Sequence, residues 1–317
     1  MKVFRVLKPG MFTTIQDAGR PGYLRFGVPV SGAMDTFSLA AANALVRNDV
    51  SCACLETTLI GPELQTLAQV QIAITGGNCT PTINGHEASM WRTLNLQIED
   101  VLSVGRMKSG CRAYVAVKGG IDLPSVLGSR STYVRGGFGG IDGRQLKAGD
   151  VIEACPVSSL FTRFLFPKEL VPQFSNDLAV HAVLGPQVDM FTDKGTETFF
   201  SSSYKVTSEA DRMGYRLEGP AIKHKDKADI VSDALLPGAI QVPRSQKPIV
   251  MMKDAQTTGG YPKIAVVASA DLDLLGQAKP NDEIRFSKIT TTQAHQRIRR
   301  YRSLLEGLPT KLQKASA

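Results

Sequence analysis

The sequence predicts a mainly β protein of two domains, barrels or sandwiches, with few helices and a C-terminal helix. Three observations predict it. Short apolar or alternating runs are separated by Gly, Pro, Asn and Asp, the pattern of turn-linked strands and not of a βαβ series. Helical periodicity stands out at only two places. The two halves also end alike: Lys147-Ala-Gly-Asp150-Val-Ile152 resembles Lys279-Pro-Asn-Asp282-Glu-Ile284, and each follows a Gly-Gly turn, at Gly119–Gly120 and Gly259–Gly260. A shared ending of this kind is expected of two related domains.

Met1–Gly10 alternates apolar residues with Lys and Arg and reads as a strand. Asp35 is placed to cap an Ala- and Leu-rich helix ending near Leu45–Val46. Strands are expected at Gln71–Thr75, Leu94–Ile98, Val101–Val104, Ala113–Lys118 and Val151–Glu153, and later at Val180–Leu184, Ile249–Met252, Ile264–Ala268 and Glu283–Phe286. Asn84–Gly85 between two strand candidates is a type I′ hairpin signal. Prolines 156, 167 and 172, with serines between them, mark a connection whose Phe161, Phe164, Leu165 and Phe166 need something to pack on. Ala294, Ile298, Tyr301 and Leu305 form a helical stripe, with Gly307 and Pro309 as stop signals. The expected division is residues 1–156, a connection over 157–177, a second domain over 178–290, and a basic helix and tail over 291–317.

Composition narrows the function. Hydrophobic residues make up 43% and charged residues 21% of 317, the balance of a folded chain. No apolar run reaches the ~18 residues that span a bilayer, and the N-terminus lacks a signal-peptide core, so the expected location is cytoplasmic and no membrane partner is expected. The formal charge is +8, but seven Lys or Arg against one Glu lie from Lys288 onward. That concentration suits a docking or solvated helix better than a nucleic-acid reader, so no nucleic-acid partner is expected. Five cysteines without a C-x-x-C pair and four scattered histidines suggest neither a disulfide framework nor a metal site. The run Arg135–Gly140 lacks the Lys and Ser/Thr of a phosphate-binding loop and reads as a flexible turn. No nucleophile elbow occurs, and Met252-Lys253 is followed by Asp254, so the chain carries no biotin attachment site.

Three polar clusters with turn glycines remain: Thr13–Gly22 continuing to Asp35, Asp211–Pro220, and Pro237–Pro243 with Asp254–Lys263. Paired Thr hydroxyls and successive N–H groups at Gly-Gly can hold a carboxylate, phosphate or amide oxygen. Arg supplies a fork for an anion, and Asp and Gln accept from an amide N–H. The same residues also cap and turn chains, and composition does not decide between the two.

These clusters resemble the family of the 5-oxoprolinase C subunit, also described as allophanate hydrolase subunit 2 or kinase-inhibitor antagonist, related to the carboxyltransferase domain of biotin-dependent urea carboxylase. The resemblance rests on TTIQDAGRPGY (13–23), GVPVSGAMD (27–35), AYVAVKGGIDLPSVLGSRSTY (113–133), DRMGYRLEGP (211–220), PGAIQVP (237–243) and DAQTTGGYPKIA (254–265). Two departures lie beside the expected site: Ser232-Asp-Ala where Ser-Glu-Gly is more usual, and Gln246-Lys247 where Gly-Gln is.

The resemblance implies two cyclophilin-like barrels and one component of a complex that opens 5-oxoproline to L-glutamate. ATP would be the co-substrate, with only its accompanying magnesium and no other metal. Phosphorylating the lactam oxygen makes an imidate-like species that water can attack, so fixed donors must face that oxygen. It further implies two partner proteins, one of the kinase-inhibitor type and one of the lactam-hydrolase type. Asp211, Arg212, Asp254 and Gln256 are the implied catalytic candidates. Gln16, Asp17, Arg20, Gln241, Thr257, Thr258, Gly259, Gly260, Tyr261 and Lys263 are the implied substrate contacts. Asp254–Lys263 and Asp211–Arg216 are expected to line one cleft facing Gln16–Arg20, with Arg212 either contacting the reacting oxygen or pinning the turn near Glu218. Two rival functions share these residues: a carboxyltransferase acting on urea or a similar amide with carboxybiotin from a partner, and a non-enzymatic regulator of a kinase-inhibiting partner.

Overall fold

The computed structural model describes residues 1–157 and 162–314, so Phe161 lies outside the described residues. Strand covers 35% of the chain and helix 18%, in line with the mainly β expectation. The chain divides into two compact units. The first comprises Met1–Arg20, Ser31–Phe174 and the chain from Ser303; the second comprises Pro21–Val30 and Ser175–Arg302.

In the first unit the chain forms β1 (Lys2–Lys8), β2 (Phe12–Gln16), α1 (Thr36–Leu45), β3 (Cys54–Thr58), β4 (Glu63–Thr66), β5 (Val70–Cys79), β6 (Thr82–Ile83) and β7 (His86–Glu87). There follow β8 (Thr93–Leu96), β9 (Val101–Ser103), β10 (Met107–Val117), β11 (Val151–Glu153) and β12 (Phe164–Leu165). Two sheets result, ordered β11-β1-β4-β9-β6-β7 and β2-β3-β10-β5-β8. Phe4, Leu64 and Leu102 of one and Ile15, Leu55 and Val115 of the other share a single buried core. The hairpin turn has both Asn84 and Gly85 at positive φ, as type I′ requires.

Helix α1 starts where the sequence places it, with the Asp35 carboxylate accepting from Ser38 N at 2.9 Å. Its neighbour sheet turns an unusual face toward it. Thr14, Glu56, Tyr114 and Thr75 lie in register across β2, β3, β10 and β5, all essentially fully buried. The row is satisfied from the helix side: Glu56 accepts from Met34 N and Tyr114 Oη, each at 2.8 Å, and Thr75 Oγ1 donates to Ser38 O at 2.7 Å. Burial, with the Glu56 and Asp35 charges next, pushes the Tyr114 phenol well above its ordinary pKa.

The connection is fastened to this unit. Phe166 packs edge-on against Phe37 (6.0 Å) and beside Trp91 (5.2 Å), and Phe164 N donates to Thr93 Oγ1 at 2.9 Å. The glycine run is also less open than a flexible turn: the Tyr133 and Phe138 rings meet edge to face at 5.5 Å, and the Arg20 guanidinium lies 5.0 Å from the Phe138 ring centre.

The second unit holds β13 (Asp177–Leu184), α2 (Asp193–Ser201), β14 (Ser203–Val206), β15 (Gly214–Glu218), β16 (Asp233–Ala234), β17 (Ala239–Gln241) and β18 (Ile249–Met251). It continues with β19 (Thr258–Gly259), β20 (Lys263–Val267), α3 (Leu272–Gly276), β21 (Glu283–Lys288) and most of α4 (Thr291–Lys311). Seven strands close a barrel, β13-β20-β17-β18-β15-β14-β21, sealed by the parallel pair β13–β21. Phe199 of α2 stacks on Phe286 at 4.8 Å within its core. A separate two-stranded ribbon, β16–β19, completes the unit.

Helices α2 and α3 were not expected. Only Gly195 and Phe199 of α2 are buried, too few to print a period, and the signal that marks its start is Thr192, whose hydroxyl accepts from Gly195 N at 2.9 Å. Helix α4 corrects a second expectation: it runs through Gly307 and Pro309 to Lys311. Proline there removes one donor, but Leu308 beside it is fully buried, and burial outweighs the local stop signal. Beyond it β22 (Gln313–Lys314) pairs with β12 in the first unit. Among the described residues no helix is long and apolar enough to cross a membrane.

Candidate anion- and amide-binding site

Lys263 opens β20 opposite Gln241 of β17, and both side chains are buried in the second unit. The Lys263 ammonium donates to the Asp233 carboxylate and, at 3.0 Å, to Ala234 O. Gln187 braces the pair: its Oε1 accepts from Lys263 N at 3.2 Å, and its Nε2 donates to Asp233 Oδ2 at 3.2 Å. The hydrogen bond from Lys263, then that from Ala234 N, holds the exposed Asp233 carboxyl below the usual carboxylate range. Gln241 Nε2 donates to Tyr261 O at 3.0 Å. Gly259 lets Gln241 and Leu235 come close: a Cβ there would meet Gln241 Nε2 at 2.7 Å and Leu235 Cδ1 at 2.8 Å, and these side-chain ends would have to shift.

A second polar pair lies where the loop before β15 meets the loop after β18. Arg212 and Asp254, 6% and 5% exposed, form a bidentate ion pair, Nε to Oδ2 at 2.8 Å and Nη2 to Oδ1 at 3.1 Å. The backbones are tied too, Asp254 N donating to Arg212 O at 2.8 Å. Asp211 is exposed, and its carboxylate accepts from Met213 N (2.8 Å) and Gly214 N (3.1 Å), so it starts β15 as an Asx turn. Glu218 pairs with Lys247 at 2.6 Å. Arg212 therefore meets Asp254, where the turn-pinning alternative had pointed to Glu218.

Ala255 packs with Leu235, Ala239 and Met251 in a small apolar cluster, which links the Arg212–Asp254 pair to the β16–β19 ribbon. Gln256 and Thr258 are exposed and Thr257 and Gly260 half-buried along that stretch. The structure thus brings the Asp211–Arg216 and Asp254–Lys263 clusters together within one unit.

In the first unit, Asp17 is a structural tie. Its carboxylate accepts from Gly19 N, Ser129 Oγ, Arg130 N and Ser131 Oγ at 2.5–2.8 Å. Four donors leave it little capacity for a ligand. Arg20 is fully buried and donates to Ser131 O. Gln16 differs. Its Nε2 donates to Thr14 Oγ1 (3.0 Å) and Thr132 O (3.1 Å), while its buried Oε1 has no partner among the described residues. The Thr132 carbonyl can only accept, so it fixes the amide orientation and leaves an acceptor suited to an amide N–H.

The sequence matches the carboxyltransferase domain family, subdomains A and B, over residues 26–288. The chain belongs to this family. It is 36% identical over 293 residues to the 5-oxoprolinase C subunit of Escherichia coli, covering 92% of this chain and 93% of that protein. It is 38% identical over 300 residues to urea amidolyase of Saccharomyces cerevisiae, covering 88% of this chain but 16% of that much longer protein. The crystal structure of the K. lactis urea amidolyase superposes with a TM-score of 0.92 at 36% identity, over 97% of this chain and 20% of that one. The crystal structure of the Kluyveromyces lactis urea carboxylase superposes with a TM-score of 0.91 at 35% identity, over all of this chain and 30% of that one, so the resemblance to the family of the 5-oxoprolinase C subunit and to urea carboxylase is shown.

For a carboxyltransferase-family chain, two residues at the lysine escaped the sequence reading. Asp233 was set beside the site, yet its carboxylate lies on Lys263; the only available signal was its place in the Ser232-Asp-Ala departure. Gln187 sits outside every matched segment, and nothing in its sequence neighbourhood marks it.

Proposed function

We propose that this chain is one component of an ATP-dependent 5-oxoprolinase complex that opens 5-oxoproline to L-glutamate in the cytoplasm. The observation that carries this reading is the reach of the match to the 5-oxoprolinase C subunit, more than nine-tenths of both chains. Within the second unit, the Lys263–Gln187–Gln241 group supplies a buried cation and amide donors for the lactam acid. The exposed Gln256 and Thr258 supply further hydrogen-bonding groups at its rim. Arg212 acts by holding the Asp254 loop in place, since its fork is engaged by Asp254. ATP is a co-substrate of the complex, whose other members are a lactam-hydrolase-type protein and a kinase-inhibitor-type protein.

The test is co-expression with those partners, following 5-oxoproline-dependent release of ADP and glutamate with and without this chain. Release should require every member of the complex, and the chain alone should show negligible activity. Robust turnover by the single chain, or none by the full set, would overturn the reading. A second reading, carboxyl transfer from a partner's carboxybiotin to urea or a similar amide, draws support from the 0.92 superposition on urea amidolyase. Urea-dependent consumption of carboxybiotin by the same preparation would favour it.

A further inference from the structure

We propose that Lys263 and Gln187 form a carboxylate-binding subsite that the chain's own Asp233 occupies in the absence of ligand, and that a small anionic molecule binds by displacing the Asp233 side chain. Three observations carry this.

First, two donors converge on one oxygen. Lys263 Nζ and Gln187 Nε2 both reach Asp233 Oδ2, and Gln187 is held in that orientation because its Oε1 accepts from Lys263 N. A cation and an oriented amide aimed at a single carboxylate oxygen are the elements of a carboxylate site.

Second, the burial is one-sided. The Lys263 side chain is 5% exposed and its partner Asp233 50%. The half-exposed carboxylate is already partly hydrated, so on leaving it regains water rather than being stranded. A buried ammonium left without a counter-ion is strongly disfavoured. Exchange is therefore open to an incoming anion and closed to a neutral molecule of the same shape.

Third, the Asp233 side chain sits on an exposed ribbon strand whose backbone is held by its partner, so the side chain can turn away without moving the strand. Residues 231–234 are all exposed, Val231 to 93%, between anchors at Ile230, whose N donates to Gly260 O at 2.9 Å, and the buried Leu235.

The inference deepens the oxoprolinase reading, and the choice of a lactam acid as ligand rests on that reading. The carboxylate subsite itself does not. An internal competitor lowers apparent affinity by the fraction of molecules in which the subsite is free, so removing it should tighten binding of carboxylates alone.

The test uses the full chain, unmodified and as Asp233→Ala, with binding measured by calorimetry or ligand-observed NMR. The probes are 5-oxoproline, cyclopentanecarboxylate (acid without lactam) and 2-pyrrolidinone (lactam without acid). Asp233→Ala is expected to bind both acids about tenfold more tightly and 2-pyrrolidinone unchanged. Lys263→Met should abolish binding of both acids; if that variant fails to fold, the Asp233→Ala series decides alone. Unchanged or weaker binding of the acids by Asp233→Ala, an equal gain for 2-pyrrolidinone, or no detectable acid binding would each overturn the proposal. A gain for both acids with no preference for 5-oxoproline over cyclopentanecarboxylate would uphold the subsite and count against the oxoprolinase reading.

Discussion

Arg212 shows how burial changes the meaning of a single side chain. Had it been exposed, removing it would test a fixed cation at the reacting oxygen and leave folding intact. It is instead buried against a buried Asp254, so Arg212→Ala strands a carboxylate with no counter-charge. The expected cost is about 3–5 kcal/mol of stability, the usual result of breaking a buried pair from one side. The double variant Arg212→Met with Asp254→Leu removes both charges and should recover most of that loss. Urea unfolding of the three proteins checks this, and near-wild-type stability of Arg212→Ala would show that the pair holds little of the loop. Asp17 and Arg20 follow the same logic, since the Asp17 carboxylate is held by the 129–131 segment and the Arg20 guanidinium donates to Ser131 O and lies against the Phe138 ring. Whether a motif residue is a structural tie thus depends on the partners that the fold gives it, which residue type alone does not reveal.

At the level of elements, the repeated Lys-x-x-Asp stretch proves to be the same turn twice. In both copies the Lys N donates to the Asp carboxylate, Lys147 to Asp150 at 2.7 Å and Lys279 to Asp282 at 3.0 Å. Each third residue, Gly149 or Asn281, has positive φ, as a type II turn requires. Each turn also brackets a valine: Gly149 N donates to Val6 O and Val6 N to Asp150 O, and Asn281 and Asp282 do the same with Val206. Such turns are legible because Gly, Asn, Pro and Asp each force a local conformation. The short helices are not, because their stability comes from tertiary burial at two or three positions. The first turn makes a pH prediction. Arg144 grips Asp150 with two bonds, 2.7 and 3.0 Å, and this hydrogen bonding, outweighing the opposing effect of burial, holds the Asp150 carboxyl below its ordinary pKa. A depressed folded-state pKa adds stability above the unfolded value of about 3.9 and loses it as pH falls through the lower folded value. Arg144→Met should therefore be less stable than the parent near neutrality, with the gap closing in acid below about pH 4. A gap that stays constant from neutrality into acid would show that the ion pair is not its source.

Across the whole molecule, the mainly β class, the hairpin at Asn84–Gly85 and the cap at Asp35 could be read from the sequence, since each rests on contacts within a few residues. The partners of Lys263 could not. Gln187 and Asp233 are 76 and 30 residues away from it, and only the closing of the barrel and the ribbon brings them there. Long-range closure also governs where the chain can be cut. Prolines and serines mark the first boundary at residue 156, but the aromatic residues just beyond it belong to the first unit, as does the chain from Ser303. Phe164 and Phe166 are both 4% exposed, Phe166 N donates to Trp91 O at 2.9 Å, and Gln71 Nε2 donates to Thr162 O at 3.1 Å. Losing a buried Phe side chain costs about 3–5 kcal/mol, so losing two removes a large part of a stability of about 5–15 kcal/mol. A fragment of residues 1–156 is therefore expected to be poorly folded, with Phe37 and Trp91 newly exposed. A fragment of residues 1–174 should be distinctly more stable, and its Trp91 fluorescence should be shifted to the blue of the shorter one. Chemical unfolding followed at Trp91, the only tryptophan in the chain, reads both fragments directly. Equal midpoints would place the end of the first unit at the proline boundary and reduce the two phenylalanines to surface cover.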